Sequence, residues 1–82
     1  MKNKIDDNYY TTSDLAVTTA LVLWDFSIVS IDRSDPKKVI FSFKDTPQLK
    51  NHVQSYWNDS KPISPKRYFS TLKEIKSRIY QG

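Results

Sequence analysis

The sequence predicts a small α+β domain, and two observations lead to this fold class. Apolar side chains recur at helical spacing in three segments, whereas the stretch from residue 26 to 43 is rich in β-branched and aromatic residues. The predicted order is α-β-β-α-α, an antiparallel two-stranded hairpin packed with three helices. At 82 residues the chain has room for one domain. We expect residues 1–8 to form a flexible N-terminal arm and residues 9–82 to form the domain.

The first predicted helix begins in YYTTSDLAVTTALVLW, where Thr11 and Asp14 have the spacing of a capping box. Between residues 15 and 24 the apolar side chains nearly encircle the helix axis. We therefore expect this helix to be central and largely buried. Asp25 is expected to end it, because aspartate tolerates the left-handed backbone conformation better than most residues other than glycine.

The next segment, FSIVSIDRSDPKKVIFSF, predicts two strands. Val39, Phe41 and Phe43 alternate along the second strand, as expected when one face of a strand is buried. The stretch from Asp32 to Lys37 supplies aspartate, serine and proline, which favour turns. We therefore expect it to join the two strands as a hairpin.

Two further helices are predicted after the hairpin. Asp45 and Gln48 have capping-box spacing at the start of the second helix, and Pro47 suits its first turn. Ser64 and Pro65 provide a similar start for the third. Both helices show one apolar face that we expect to be buried, formed by Leu49, Val53, Tyr56 and Trp57 in the second helix and by Tyr68, Leu72, Ile75 and Ile79 in the third.

Composition argues against most catalytic chemistry. The chain has no cysteine and one glycine, which excludes disulfides, thiolate metal sites and glycine-rich phosphate loops. The single histidine, His52, lies beside Tyr56 at the edge of the apolar face and is interpreted as a packing residue. Asp32 and Asp35 bring two carboxylates into the predicted turn, where aspartate bonds the backbone more often than it binds calcium. We expect no enzyme activity, no cofactor and no metal site.

The sequence also predicts where the protein is found. No apolar run approaches the roughly 20 residues that cross a bilayer, and no apolar region follows the basic residues at the N-terminus. The absence of cysteine suits a reducing compartment. We expect a cytoplasmic protein with no membrane partner.

The net charge of +4 is distributed unevenly. Residues 1–60 hold seven Lys and Arg against eight Asp, whereas residues 61–82 hold six against the single Glu74. Clustered cations attract phosphates and release counterions on binding. The residues predicted to bind nucleic acid are Lys61, Lys66, Arg67, Lys73, Lys76, Arg78 and Tyr80.

Two functions remain open at the closing helix. Lys66, Lys73 and Lys76 fall within about 80° of one another at 100° per residue, and Arg67 and Arg78 share the other flank. Together with Tyr80 and the pair at residues 9 and 10, whose rings can stack on bases, they predict binding to DNA or RNA. The alternative is a protein partner or a homo-oligomer, with the lysines serving only as a solvated helix surface.

Four stretches carry a resemblance to a known family: YYTTSDLA, DRSDPKKVIFSF, the pair Tyr56 and Trp57, and YFSTLKEIKSRIY. On these the chain resembles a family of short, uncharacterised bacterial and bacteriophage proteins classified as a domain of unknown function. The resemblance implies one compact domain and a bacterial or prophage setting, and it brings no activity. YYTTSDLA is also similar to the first helix of helix-turn-helix regulators, but strands predicted from Phe26 leave no recognition helix in place.

Overall fold

The computed structural model describes residues 8–81 and has the α+β class that the sequence predicts. Its elements are β1 (Tyr9–Thr12), α1 (Leu15–Leu23), β2 (Ile28–Asp35), β3 (Lys38–Lys44), α2 (Pro47–Asn58) and α3 (Pro65–Gln81). The three strands form one antiparallel sheet in the order β1-β3-β2. Residues 1–7 of the predicted arm, and Gly82, lie outside the described residues, so the domain boundaries stay a prediction.

β2 and β3 pair as the predicted antiparallel hairpin, but the prediction of only two strands is wrong, because β1 adds a third. It pairs with β3 from Tyr9 opposite Lys44 to Thr12 opposite Phe41. The element order is therefore β-α-β-β-α-α. Tyrosine and threonine both favour strands, but four residues are too few for a clear alternating pattern, and the capping spacing next to them favoured a helix start.

The hairpin turn is shorter than the sequence predicts. β2 continues to Asp35, so that only Pro36 and Lys37 connect it to β3. The pairing shifts in register between Asp32 and Asp35, where two residues of β2 lie opposite one residue of β3. Such a bulge bends the strand and increases its twist. It also places Arg33 within the irregular segment.

Helix starts lie close to the predicted positions, but with different capping residues. Asp14 caps α1 by accepting hydrogen bonds from the amides of Ala16 and Val17, at 2.9 and 3.2 Å. Thr11, predicted to share this role, lies in β1. At α2 the cap is Thr46 rather than the predicted Asp45, and its hydroxyl accepts the amide three residues later at 3.0 Å.

Two helices end at an aspartate with a left-handed backbone. Asp25 has a φ of 75° and Asp59 a φ of 55°. After α1, the amide of Phe26 donates to the Leu21 carbonyl and the amide of Asp25 to the Val22 carbonyl, both at 3.0 Å. The equivalent pair of bonds closes α2. The prediction that Asp25 ends the first helix is confirmed.

The first helix is central, as predicted, since six of its nine residues are buried. It packs against α2, α3 and β1. The buried core draws on three helices and the middle strand, through Val17, Leu21, Phe41, Phe43, Leu49 and Ile75. Thr18 and Thr19 are also fully buried, and each hydroxyl donates to the carbonyl four residues earlier, at 2.9 and 2.8 Å. These bonds remove the cost of burying two hydroxyl groups.

The two remaining helices bury their apolar faces unequally. In α3 the predicted stripe is confirmed, with Ile75 buried and its three companions half-buried. In α2 Leu49 is buried, but 63% of Trp57 is exposed, so its predicted place in the core is wrong. At 100° per residue Trp57 lies about 80° from Leu49, at the margin of the buried face. Across residues 8–81, no helix has the length and apolar character needed to cross a bilayer.

Candidate nucleic-acid interface

The closing helix, α3, presents its surface in a defined orientation because one side is fixed in the core. The carbonyl of Ser64 accepts the amide of Tyr68 at 2.9 Å, and its hydroxyl accepts the amide of Arg67 at 3.4 Å, so the helix starts as predicted. Only 1% of Ile75 is exposed. The residues on the opposite side of the helix therefore face solvent.

One exposed face of α3 combines positive charge with aromatic rings. Its members follow one another at alternating spacings of three and four residues, and we call them the α3 stripe: Lys66, Phe69, Lys73, Lys76 and Tyr80. All five are exposed. At 100° per residue they fall within about 80° of one another. The stripe contains three cations, two rings and no carboxylate.

The rings of the α3 stripe are among the most exposed aromatic groups of the described chain. Phe69 is 63% exposed and Tyr80 is 80% exposed. Tyr80 is a predicted site residue, whereas Phe69 was missed. Its position was a usable signal, because at 100° per residue Phe69 lies about 60° outside the predicted buried stripe, between Lys66 and Lys73 along the helix.

The other predicted site residues lie away from this stripe. Arg67 and Arg78 are exposed on the opposite flank of the buried side, where Glu74 lies between them on the helix surface. Lys61 lies in the loop before α3, and its ammonium group is 5.8 Å from the centre of the Trp24 ring. The predicted set thus divides into one continuous face and three separate cations.

The hairpin brings further cations to the C-terminal end of α3. Lys37 and Lys38 line a shallow depression of about 350 Å³ together with Tyr80. The Arg33 guanidinium donates to the carbonyl of Ile79 at 2.9 Å, which ties the last turn of α3 to β2. Because these residues are more than 40 positions apart in the sequence, no local pattern could have predicted this arrangement.

The two N-terminal tyrosines do not form a paired stacking surface. They are neighbours in β1, so their side chains point to opposite faces of the sheet. Tyr10 is half-buried, with its ring centre 6.5 Å from that of Phe43. Tyr9 is 40% exposed on the outer face.

Comparison with known proteins identifies a family that is described only as a domain of unknown function. A model of the family described as Domain of unknown function (DUF5659) matches residues 7–81. The chain belongs to the DUF5659 family. No curated protein and no solved structure matches it. The DUF5659 match covers every helix and strand of the fold, which confirms the resemblance to a domain of unknown function and leaves the role of this surface to be inferred from its own chemistry.

The single histidine of this DUF5659 chain is held by packing. Its Nδ1 donates to the Gln48 carbonyl at 2.8 Å. The ring centre of His52 lies 5.3 Å from that of Trp24 and 5.0 Å from that of Phe26. The contacts agree with the interpretation of His52 as a residue at the edge of the core.

The aspartates of the hairpin bond the backbone. A carboxylate oxygen of Asp32 accepts the amide of Ser34 at 2.9 Å and also its hydroxyl, and these two bonds lower the pKa of Asp32. Asp35 accepts the amide of Lys37 at 2.9 Å. Over the described part of the chain, no group of three or more side chains is placed to hold a metal ion.

A second surface of the DUF5659 fold is an aromatic groove of about 590 Å³, which lies where α2 ends and the loop to α3 begins. Trp24, Tyr56 and Trp57 line it together with Pro62 and Ile63. Burial raises the pKa of the Tyr56 hydroxyl, and the negative charge of Asp14 raises it further.

Proposed function

We propose that this DUF5659 chain is a small, non-enzymatic nucleic-acid-binding protein of bacterial or bacteriophage origin that works in the cytoplasm. The lysines of the α3 stripe contact the phosphates of the nucleic acid. One observation carries the proposal: Lys66, Lys73 and Lys76 are exposed on the same face of one helix, and no carboxylate interrupts them. Lysines arranged in this way create a local positive field, although the net charge of the whole chain is modest.

The dimensions of the stripe suit a phosphate backbone. Lys66 and Lys76 are ten residues apart, which is about 15 Å along a helix that rises 1.5 Å per residue. A nucleic-acid strand advances about 3.4 Å per phosphate in a duplex, so one strand can meet all three ammonium groups. Each contact releases condensed counterions, which supplies most of the free energy of nonspecific binding.

Two cations that were not among the predicted site residues extend this surface in the proposal. Lys37 and Lys38 continue it beyond Tyr80, at the hairpin turn. Lys61, Arg67 and Arg78 lie outside the stripe, and the two arginines are on the other flank of α3, so in the proposal they add to the positive field rather than extend the contact surface. No cofactor and no catalytic residue enters the proposal.

The dependence of binding on salt tests this function. The log-log slope of affinity against salt should be about −0.9 per phosphate contacted in a duplex and about −0.7 in a single strand. Lys73→Ala and Lys76→Ala should each reduce the slope by about one contact. Their folding should be unaffected, because the ammonium groups are solvated and alanine favours helices.

Lys44→Ala is the matched control for these substitutions. It removes the same charge from an exposed lysine at the end of β3, which belongs neither to the α3 stripe nor to the hairpin turn. Its salt slope should equal that of the parent. If the purified protein fails to bind DNA or RNA at low salt, where electrostatic attraction is strongest, the proposed function is wrong.

The exposure of Trp57 favours a second candidate function, binding to a protein partner or to another copy of the chain. Its side chain is 63% exposed beside the aromatic groove. Tryptophan and tyrosine are the residues most enriched where interfaces derive their binding free energy. In this candidate the lysines of α3 serve only to solvate the helix.

A further inference from the structure

The two rings of the α3 stripe are not explained by contacts with phosphates. The side of α3 that packs on the core is formed by Ile75 and Ile79, with Tyr68 and Leu72 half-buried beside them. The Phe69 ring contacts the Tyr68 ring edge to face, with the ring centres 6.1 Å apart. Most of each ring is nevertheless exposed, 63% of Phe69 between Lys66 and Lys73 and 80% of Tyr80 beyond Lys76. Rings that stay this exposed beside lysines are available to a ligand that combines negative charge with an apolar or aromatic surface.

We infer that the α3 stripe binds single-stranded DNA or RNA in preference to duplex, with bases stacked on Phe69 and Tyr80 and phosphates at the neighbouring lysines. This inference rests on the proposed function and narrows its substrate class. In a single strand the faces of the bases are free to stack on aromatic side chains. In a duplex the bases stack on one another and offer only their edges, so the two rings would meet sugars and phosphates.

The order of residues along the stripe matches this ligand. From the N-terminal end the order is cation, ring, cation, cation and ring. The two rings are eleven residues apart, about 16 Å along the axis, and Lys73 and Lys76 lie between them. A strand that runs along the helix would therefore stack separated bases while its backbone meets ammonium groups between the stacking points.

The β2–β3 hairpin extends the surface along which the nucleic-acid strand would lie. Tyr80 shares its depression with Lys37 and Lys38, so a strand that passes the second ring reaches two more cations. The hydrogen bond from Arg33 to the Ile79 carbonyl holds the backbone next to Tyr80 against β2. The backbone of Tyr80 therefore has a fixed position, although the Tyr80 side chain is exposed.

The charge of the stripe disfavours two other ligands. A second copy that docked through this face would bring three lysines against three lysines, and such like charges repel. An interfacial membrane helix carries its cations on one face and its apolar residues on the other, whereas the rings and the lysines here share one face. A single strand, which offers both negative charge and unpaired bases, is complementary to both features.

The inference is tested by binding of the full chain to oligonucleotides of about 20 nucleotides, longer than the sites that comparable stacking surfaces cover. The probes are mixed-sequence single-stranded DNA, the corresponding RNA and the DNA duplex, at equal salt. We expect both single strands to bind at least about tenfold tighter than the duplex. Phe69→Leu and Tyr80→Leu should each weaken single-strand binding by about 5- to 150-fold, the range that stacking of one base implies.

Four comparisons make the result specific to stacking. Leucine keeps apolar bulk and helix propensity, so circular dichroism should be unchanged. Phe69→Tyr should retain binding, because it keeps the ring. Trp57→Leu removes an aromatic side chain of equal 63% exposure from α2 and should leave binding unchanged. The salt slope should be the same in Phe69→Leu as in the parent.

The outcomes separate this inference from the function on which it rests. If the duplex binds as tightly as the single strands, or if both leucine variants bind single strands like the parent, the inference is overturned while binding through the lysines stands. If none of the probes binds at low salt, the proposed function fails as well.

Discussion

Asp25 and Asp59 show how single residues set helix ends in a chain that has only one glycine. Both occupy the left-handed region, at φ of 75° and 55°. A side chain with a Cβ is strained there, and glycine is the residue that normally follows a helix. Aspartate reduces this strain but does not remove it, because its short polar side chain can bond locally.

Replacing Asp25 by glycine should therefore stabilise the fold. We expect Asp25→Gly to raise the free energy of unfolding by up to about 1 kcal/mol, from relief of left-handed strain. Asp25→Ala should lower it, because alanine keeps the Cβ and lacks the polar group. Denaturant unfolding of both variants measures the difference. If alanine is as stable as glycine at this position, the left-handed geometry of residue 25 is not what limits stability.

Residue type alone was sufficient to predict the roles of Asp25 and Ser64, but not the caps of the first two helices. Aspartate after an apolar helical segment has few alternative roles. At the start of α1, three hydroxyl residues and an aspartate follow one another from Thr11 to Asp14, and each of them can cap a helix. The pairing with β3 excludes Thr11 and Thr12 as caps, and that partner strand is far away in the sequence.

Contacts between elements decide how the C-terminal end of α3 is held. The last carbonyls of a helix have no partner within the helix and carry partial negative charge. Arg33 satisfies one of them, at Ile79, from the bulge of β2. The same bulge is stabilised by the bonds from Ser34 to Asp32.

Arg33→Met should loosen this end of α3 without unfolding the domain. The bond is exposed, so its loss should cost no more than about 1 kcal/mol. Amide hydrogen exchange of the last turn of α3 should accelerate, whereas exchange in the buried part of α1 should not change. Arg67→Met, at the start of α3, provides the control. Equal exchange at the end of α3 in the parent and in Arg33→Met would show that the guanidinium does not anchor it.

How well each helix or strand could be predicted depends on its length and on how many times its residue pattern repeats. The third helix has 17 residues, and its buried stripe was predicted correctly because four turns repeat the same spacing. β1 has four residues and was missed. The stripe of lysines could be predicted from α3 alone, and so could Phe69, but the contribution of Lys37 and Lys38 required the hairpin to be placed beside Tyr80.

At the scale of the whole molecule, the two candidate functions use different surfaces and can be distinguished. Self-association through Trp57 predicts a mass in light scattering that rises above 9.6 kDa with concentration. Trp57→Ala should then restore the mass of one chain, and Lys73→Ala should not. A mass that stays at 9.6 kDa at every concentration would exclude the homo-oligomer and leave only a different protein as the partner in the second candidate.

The position of β1 has a consequence for how the domain assembles. β2 and β3 are neighbours in the chain, so their pairing closes a short loop and can form early. β1 must reach β3 across about 30 intervening residues, which have to fold into α1 and β2, and we expect it to join last. Until then one side of β3 carries unpaired amide and carbonyl groups that another chain can capture. A newly synthesised or heated chain is therefore most vulnerable to aggregation at β3, although β3 is the middle strand of the finished sheet.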